Sequence, residues 1–395
     1  MSANAGSVTL GAYNIFDLRE QARRFLPRGV FEYVERGTED ELGLQSNLAA
    51  FERVKLVPRV LRDVSSIDQT VDLFGKPMSM PVAIGATGAA GFVWLEGDLA
   101  LATAAAACDV PFTISSASTL PIEKIVTAGG RLWFQLYRWE DRAMTDDLVK
   151  RANNLGCEAL VVTVDTAVPP NREYNLRNGF GVPLRMNGKN VPDVLAHPRW
   201  LFKVLLPQLL RYGIVSQANV PAHLRTSLSK TQPIGTAFRS DDLTWDELKR
   251  LRDLWRGQVI VKGVVSPDDA ARMAQEGIDA VIVSNHGGRN LDSTVATLDA
   301  LPAVVKAVAG RIPVLVDSGI RRGSDVVKAL ALGAKAVLVG RVPLYGLGAA
   351  GRVGVERAMQ LLREEVHRTM AFCGCRSVSE IESSLIHRSC IPSQE

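Results

Sequence analysis

Cysteine and histidine are scarce in the 395-residue chain, with five of each. Cys108, Cys157, Cys373, Cys375 and Cys390 are scattered and odd in number. The C-x-C pair at 373–375 has no second pair and no histidine cluster beside it. That pattern predicts reduced thiols in a cytosolic protein, with neither a disulfide framework nor a metal site. Charge of one sign is also lacking. Basic residues number 46 against 42 acidic, a net +4, which does not imply nucleic acid but suits small anionic ligands. No run of 18 apolar residues exists, so no membrane-spanning helix is expected. The N-terminal stretch has no basic start and no apolar segment, so no signal peptide is expected. Apolar residues, by contrast, make up 47% of the chain and charged residues 22%. A large core is therefore available, and a disordered, collagenous or disulfide-scaffold protein is excluded.

Short apolar runs rich in β-branched residues recur along the chain: 82–86 (VAIGA), 112–115 (FTIS), 132–137 (LWFQLY), 160–164 (LVVTV), 259–262 (VIVK), 280–284 (AVIVS), 314–317 (VLVD) and 336–340 (AVLVG). Runs of this length read as strands buried on both faces, that is, parallel strands under helices. Helical segments lie between them, at 97–107, 141–155, 268–276 and 325–332, several opening on Asp or Ser-Pro and ending near Gly. Eight strands each followed by a helix predict an α/β fold, a closed (β/α)8 TIM barrel. A doubly wound sheet would carry G-x-G-x-x-G after its first strand, and the turn here, GATGAAG at 85–91, does not fit. The expected layout is one domain over 1–395, with a helical extension over 1–80, the barrel over 81–372 and a closing helix at 355–372. Residues 165–258, between strands four and five, exceed the usual spacing several-fold, which marks an insertion over 183–240.

Barrel chemistry sits at the C-terminal ends of the strands. Those ends carry Thr87, Ser115, Gln135 with Tyr137, Thr163 with Asp165, Lys262, Ser284 with His286, Asp317, and Gly340 with Arg341. Any one could be a satisfied structural side chain, but eight together point to a ligand. The loops DSGIRRGSD (317–325) and VGRVPLYG (339–346) place glycines and arginines after strands seven and eight, where barrels build phosphate sites. VSNHGGRNLD (283–292) ends a strand in His286, beside two glycines that let a ligand approach the backbone, with Arg289 following. A histidine titrating near neutrality can take a proton and an arginine fork can hold a carboxylate. Arg172, in PPNREYN, is a second carboxylate clamp. Lys262 ends an otherwise apolar strand and needs an anionic partner or a function.

At these residues the sequence resembles the FMN-dependent L-2-hydroxy-acid oxidase and dehydrogenase family, over about 13–381. SNHGGRNLD differs from the family's usual SNHGGRQLD only at Asn290. The resemblance implies FMN as cofactor and oxidation of an (S)-2-hydroxy acid to the 2-oxo acid. It makes His286 the catalytic base, with Asp165 stabilising its charged form, and gives the substrate to Arg172, Arg289, Tyr33 and Tyr137. Lys262 would lie by the flavin N1 and C2 carbonyl. Ala86, Thr87, Gly88, Ser115, Gln135, Tyr137, Thr163 and Ser284 would line the isoalloxazine and ribityl chain, and Asp317, Gly319, Arg321, Gly340 and Arg341 would hold ribityl and phosphate. Where the family often has Pro-Thr-Ala, this chain has Ala86-Thr87-Gly88. That glycine, with TGAAGFVWLEGDLALA, RLWFQLY, LRDLW and LYGLGAAG, resembles the mandelate-oxidising members. The acceptor implied is a quinone or other electron carrier, and the assembly a homo-oligomer, a tetramer by analogy. Lactate dehydrogenation, an oxygen-using oxidase, and a flavin-free barrel enzyme on a phosphorylated substrate are the alternatives.

Within the insertion, residues 195–215 (LAHPRWLFKVLLPQLLRYGIV) repeat Trp200, Leu201, Val204, Leu205 and Leu209 at helical spacing, with Arg199, Lys203 and Arg211 between them and Pro207 expected to kink the helix. A basic, Trp-bearing amphipathic segment can lie in a membrane interface, or pack on the barrel or a neighbouring subunit. HPRW resembles the membrane-binding segment of the mandelate-oxidising members, which implies a cytoplasmic protein held peripherally on the inner membrane. A non-enzymatic membrane-binding module is the reading furthest from catalysis.

Overall fold

The apolar strand runs hide a period of two. In the computed structural model, which describes residues 11–182, 184–220 and 241–387, one alternate set packs outward under the helices: Val82 and Ile84, Phe134 and Leu136, Leu160 and Val162, Val281 and Val283. The other set packs into the barrel: Ala83, Trp133, Ala159 and Val161, Ile260, Ala280 and Ile282, Leu315, Leu338. Cys390, residue 183 and residues 221–240 of the insertion lie outside the described residues. A strand buried on both faces has no polar side to reveal its register. Only the change from apolar to polar along the inward set shows which end is which.

The barrel strands are β3 (Val82–Ile84), β4 (Phe112–Ser115), β5 (Leu132–Leu136), β6 (Ala159–Thr163), β7 (Gln258–Val264), β8 (Ala280–Val283), β9 (Val314–Val316) and β10 (Ala336–Val339). Neighbours pair in parallel, and β10 pairs with β3 to close the ring. The chain is a (β/α)8 barrel. Local chemistry starts its outer helices. Asp141 caps the helix Arg142–Asn154 by accepting from Ala143 N, and Ser266 caps Pro267–Gln275 by accepting from Asp269 N, with Pro267 in the first turn. After β4 the connection is only a one-turn helix, Ile122–Ile125, followed by a short 3₁₀ turn.

Three details depart from the sequence reading. The first eighty residues are not all helical. After α1 (Ile15–Phe25), α2 (Arg28–Glu35) and α3 (Leu42–Arg53), β1 (Val71–Leu73) and β2 (Lys76–Met78) form an antiparallel hairpin. Phe74 and Gly75 turn it with φ of 60° and 72°, the two positive values that a twisted two-residue hairpin needs. Its apolar side plugs the bottom of the barrel, where Phe74 meets Trp133 edge-on at 6.4 Å. Second, the closing helix starts fourteen residues early, at Arg341, and runs to Phe372 with a break at Ala350 and Gly351. Gly351 has φ of 63° and a side chain there would strike Trp94, so the break needs glycine at that position. Third, in the insertion Trp200, Val204 and Leu205 face the core, and Trp200 Nε1 donates to Phe92 O at 2.7 Å. The outward apolar residues are Leu209 from the expected stripe and, beside it, Phe202, Leu206 and Leu210, the last 87% exposed. Helix continues past Pro207 because a wider π-turn, Leu201–Leu205, precedes it.

Candidate active site

Where the inward-facing positions of the strands turn polar, their side chains bond to one another across the barrel mouth. Ser115 Oγ meets Gln135 Oε1 at 3.3 Å, and Gln135 Nε2 donates to Thr163 Oγ1 at 2.9 Å. Lys262 Nζ lies 3.0 Å from Asp317 Oδ2 and donates to Ser284 Oγ at 2.7 Å. Burial opposes its charge, but Asp317 and Asp165 outweigh that and hold its pKa above the ordinary lysine value. The lysine is thus a fixed cation in the wall of the mouth.

His286 follows β8 with φ of 58°, and Gly287 and Gly288 continue at 71° each. Three consecutive left-handed residues fold the chain back on itself. A side chain at Gly287 would meet the Arg341 guanidinium at 2.6 Å, and one at Gly288 the backbone of Leu44 at 2.3 Å. The ring Nδ1 of His286 lies 3.0 Å from Asp165 Oδ1. Asp165 can come this close because Gly263, at a register shift in β7 with φ of 108°, has no side chain; a Cβ there would sit 2.6 Å from that of Asp165. Burial alone would raise the Asp165 pKa, but His286 and Lys262 hold it below the usual carboxylate value. With the carboxylate charged, Nδ1 carries the proton and Nε2 is left as a lone pair, 3.3 Å from Tyr137 Oη. Burial, then the charges of Lys262 and Arg172, push the His286 pKa below 6.5 against the pull of Asp165. At neutral pH the imidazole is a free base. The Tyr137 hydroxyl is pushed up to about 12 by burial and by Asp165, and keeps its proton.

Two half-buried arginines line the same cleft as this base. Arg289 donates to Arg36 O at 2.9 Å and lies 5.2 Å over the Tyr33 ring. Arg172 Nε donates to Arg289 O at 3.4 Å, and burial together with the like charge of Arg289 lowers its pKa. Among the described residues no carboxylate pairs with either. Two like charges in one half-buried wall call for an anion between them.

A second cationic corner lies across the cleft, at the loops after β9 and β10. Arg341 Nε and its terminal nitrogens donate to the carbonyls of Val34, Glu35, Arg36 and Gly287 at 3.0–3.2 Å, tying the end of α2 to β10. Burial and the charges of Arg321 and Arg289 bring its pKa down to about 9. The helix Gly323–Ala331 after β9 is closed as an anion site. Arg321 N and Arg322 N donate to Asp325 Oδ2, and Gly323 N donates to Glu365 Oε2. The helix that starts at Arg341, directly after β10, opens on the cleft at Gly340.

The base, the two arginines and the Arg341 corner share one cleft. Tyr33, Ala86, Thr87, Gly88, Gln135, Tyr137, Thr163, Arg172, Lys262, His286, Arg289, Asp317, Gly319, Arg321, Gly340 and Arg341 line it. Ser115, Ser284 and Asp165 stand one layer behind, on Gln135, Lys262 and His286 respectively. Residues not assigned to the site from the sequence complete the wall: Val168, Pro169, Pro170 and Val182 just before the insertion, Gln217 within it, and Asn290. The Pro-Pro pair before Asn171-Arg172 was the available signal for the first of these. Asn290 Nδ2 donates to Asp165 O at 2.7 Å, so the residue that departs from the usual motif braces the partner of His286.

A family model for FMN-dependent dehydrogenases matches residues 22–388. The chain is 41% identical over 370 residues to (S)-mandelate dehydrogenase of Pseudomonas putida, covering 93% of this chain and 92% of that one. It is 38% identical over 379 residues to an L-lactate oxidase of Nostoc sp., covering 95% and 98%. Among solved structures, the monotopic membrane protein (S)-mandelate dehydrogenase superposes with a TM-score of 0.88 at 39% identity, covering 95% of this chain and 99% of that one.

Proposed function

This chain belongs to the FMN-dependent dehydrogenase family and is an FMN-dependent enzyme that oxidises 2-hydroxy acids; from that premise we propose that its substrate is an (S)-2-hydroxy acid of the mandelate type and its electron acceptor a membrane quinone. The residues suit the cofactor. Thr87 Oγ1 is buried at the cleft wall without a partner. A Cβ on Gly340 would meet only Thr87 Cγ2, at 3.5 Å, so the backbone at the helix start is open to a phosphate. Gln135, Thr163 and Lys262 would hold the polar edge of the ring, and Gly319, Arg321, Gly340 and Arg341 the phosphate. When bound, FMN supplies a two-electron sink beside the substrate α-carbon.

The observation that carries the reading is His286 Nε2, 3.3 Å from Tyr137 Oη in a cleft that Arg172 and Arg289 also line. Arg172 and Arg289 would take the substrate carboxylate bidentately, which directs the α-carbon and its hydroxyl at Nε2. Oxidation to the 2-oxo acid removes two electrons and two protons, and His286 would take one of those protons. Asp165, already charged against Nδ1, stabilises the imidazolium that results. Tyr137, protonated throughout, is placed to donate to the substrate oxygen. Val168, Pro169, Pro170 and Val182 make an apolar wall suited to a ring, which favours mandelate over lactate. At Gly88, a Cβ would touch Ala117 Cβ at 3.4 Å and Tyr33 Oη at 3.6 Å, so that wall is lower than a larger residue would make it.

For the acceptor, the outward residues Phe202, Leu206, Leu209 and Leu210, with Arg199, Lys203 and Arg211 around them, form an apolar face with a basic border. Such a face suits the interface of an anionic bilayer, where a quinone is dissolved. No helix among the described residues is long and apolar enough to cross a membrane. On this reading the enzyme is peripheral on the cytoplasmic side of the inner membrane, as a tetramer. Anaerobic titration with (S)-mandelate, followed in the visible flavin spectrum, tests the substrate. Bleaching by (S)- and not (R)-mandelate is expected. A flavin that stays oxidised with (S)-mandelate and bleaches with L-lactate overturns the substrate assignment. Reoxidation by air as fast as by a soluble quinone overturns the acceptor.

A further inference from the structure

The loop from Gly85 to Ala89 that lines the cleft is held from behind by a carboxylate that never reaches it. Asp98 lies in the first turn of the helix Gly97–Ala107 and is 1% exposed. Its Oδ2 accepts from both the backbone N–H and the hydroxyl of Thr119, at 3.3 and 2.9 Å. Thr119 Oγ1 in turn accepts from Gly91 N at 3.1 Å. Three segments thus meet at Thr119 Oγ1: the start of the helix Gly97–Ala107, the loop after β4, and the one-turn helix Ala90–Val93 that ends the connection after β3. There is no slack between them. A Cβ at Gly91 would sit 2.3 Å from Thr119 Oγ1, and one at Gly97 would sit 2.3 Å from Ala90 O.

The two stitched loops present Ala86 to Ala89 and Ala117 to the cleft, and Ala89 is held there in the left-handed region with φ of 63°. A non-glycine residue keeps that conformation only where its surroundings over-determine it. The inserted segment is tied to the same two loops from outside. Trp200 Nε1 donates to Phe92 O, Tyr212 bonds Glu96, Ala218 N donates to Ser118 O, and Asn219 Oδ1 accepts from Ile122 N. Burial raises the Asp98 pKa to about 6, opposed by the Thr119 bonds; a carboxylate kept at that site in place of an apolar residue needs a reason in what it holds.

We propose that Asp98, through Thr119, is a positioning residue for the cofactor: it fixes the 85–91 loop against the flavin without touching flavin or substrate. The inference rests on the proposed seat of the flavin against Ala86, Thr87 and Gly88, not on the identity of the substrate. The test uses the purified holoenzyme and reads FMN retention, the visible flavin bands and the steady-state constants with whichever 2-hydroxy acid bleaches the flavin. Asp98→Ala is expected to weaken FMN retention about tenfold, shift the flavin bands and lower kcat, with KM within about twofold, since Arg172 and Arg289 stand on other elements. Thr119→Val should give the same changes, and the double variant no more than either alone. Asp98→Asn keeps an oxygen acceptor for Thr119 and should restore FMN retention. Unchanged bands and retention in Asp98→Ala, with only a lower melting temperature, overturn the proposal, and so do additive losses in the double variant. If Asp98→Ala does not fold, Thr119→Val alone decides, and wild-type retention and bands there also overturn it.

Discussion

The two ends of the barrel are built on the same eight strands and the same inward-facing positions, yet they do opposite things. At the bottom those positions are Ala83, Trp133, Ala159, Ile260, Ala280 and Leu315, sealed by the β1–β2 hairpin. At the top they are Gln135, Thr163, Lys262, Ser284 and Asp317, joined by His286 and Asp165. One end gains free energy by excluding water. The other gathers charges, of which Arg172 and Arg289 have no carboxylate partner among the described residues, and that costs stability which the bottom offsets. Two or three residues along one strand thus separate a position that holds the fold from one that does chemistry.

Substitutions at the two ends should therefore break different properties. The largest effect expected is at the top: His286→Gln should lower kcat by about 10³- to 10⁴-fold while the melting temperature moves little, measured as flavin reduction by substrate beside a thermal scan. Comparable loss of activity with loss of fold would erase the contrast. Trp133→Ala, at the bottom, should cost about 3–5 kcal/mol of stability by denaturant titration, with turnover per folded molecule unchanged. A smaller, graded effect is expected with pH. Activity needs neutral His286, whose pKa lies below 6.5, so kcat/KM should be level around neutrality and fall as pH drops through that lowered value. In Asp165→Asn the charge that opposes the shift is gone, and the acid limb should move to still lower pH, on a much reduced plateau; an acid limb above 6.5 in the wild type would contradict a buried neutral base. The smallest effect on chemistry is expected from Leu210→Asp on the inserted helix. Binding to anionic vesicles should fall in a sedimentation assay while turnover with a soluble acceptor stays within about twofold, since the residue is exposed and outside the cleft.

Much of the site was legible because barrel chemistry gathers at strand ends, and strand ends can be found in a sequence. His286, Lys262 and Asp317 stood out as polar residues closing apolar runs. Ser115 and Ser284 stood out by the same rule, but they support Gln135 and Lys262 from behind, since the layer a side chain occupies depends on its neighbours' lengths. The hairpin was missed because three-residue strands carry too few residues for a period to show. In the insertion Trp200, Val204 and Leu205 of the expected stripe pack on the barrel, the alternative to the membrane face, while Leu209 of the same stripe faces out. Trp200 looks interfacial by type, but its indole N–H finds Phe92 O inside the protein, and Leu210, unremarkable in sequence, is left facing out.

Sequence by itself determined the elements whose signals are local: the apolar strands, the capped helices, the glycine-flanked histidine, and the order in which strand ends come round the mouth. Tertiary structure alone decided the contacts that join distant segments. Asp165 reaches His286 only because Gly263 yields space at a shift in β7. Arg341 is turned onto the carbonyls of α2 some three hundred positions earlier. Asp98 finds Thr119, and the hairpin finds the barrel floor. These depend on close packing of a closed ring, where distances of a few tenths of an ångström are set by every neighbour at once and no local pattern records them.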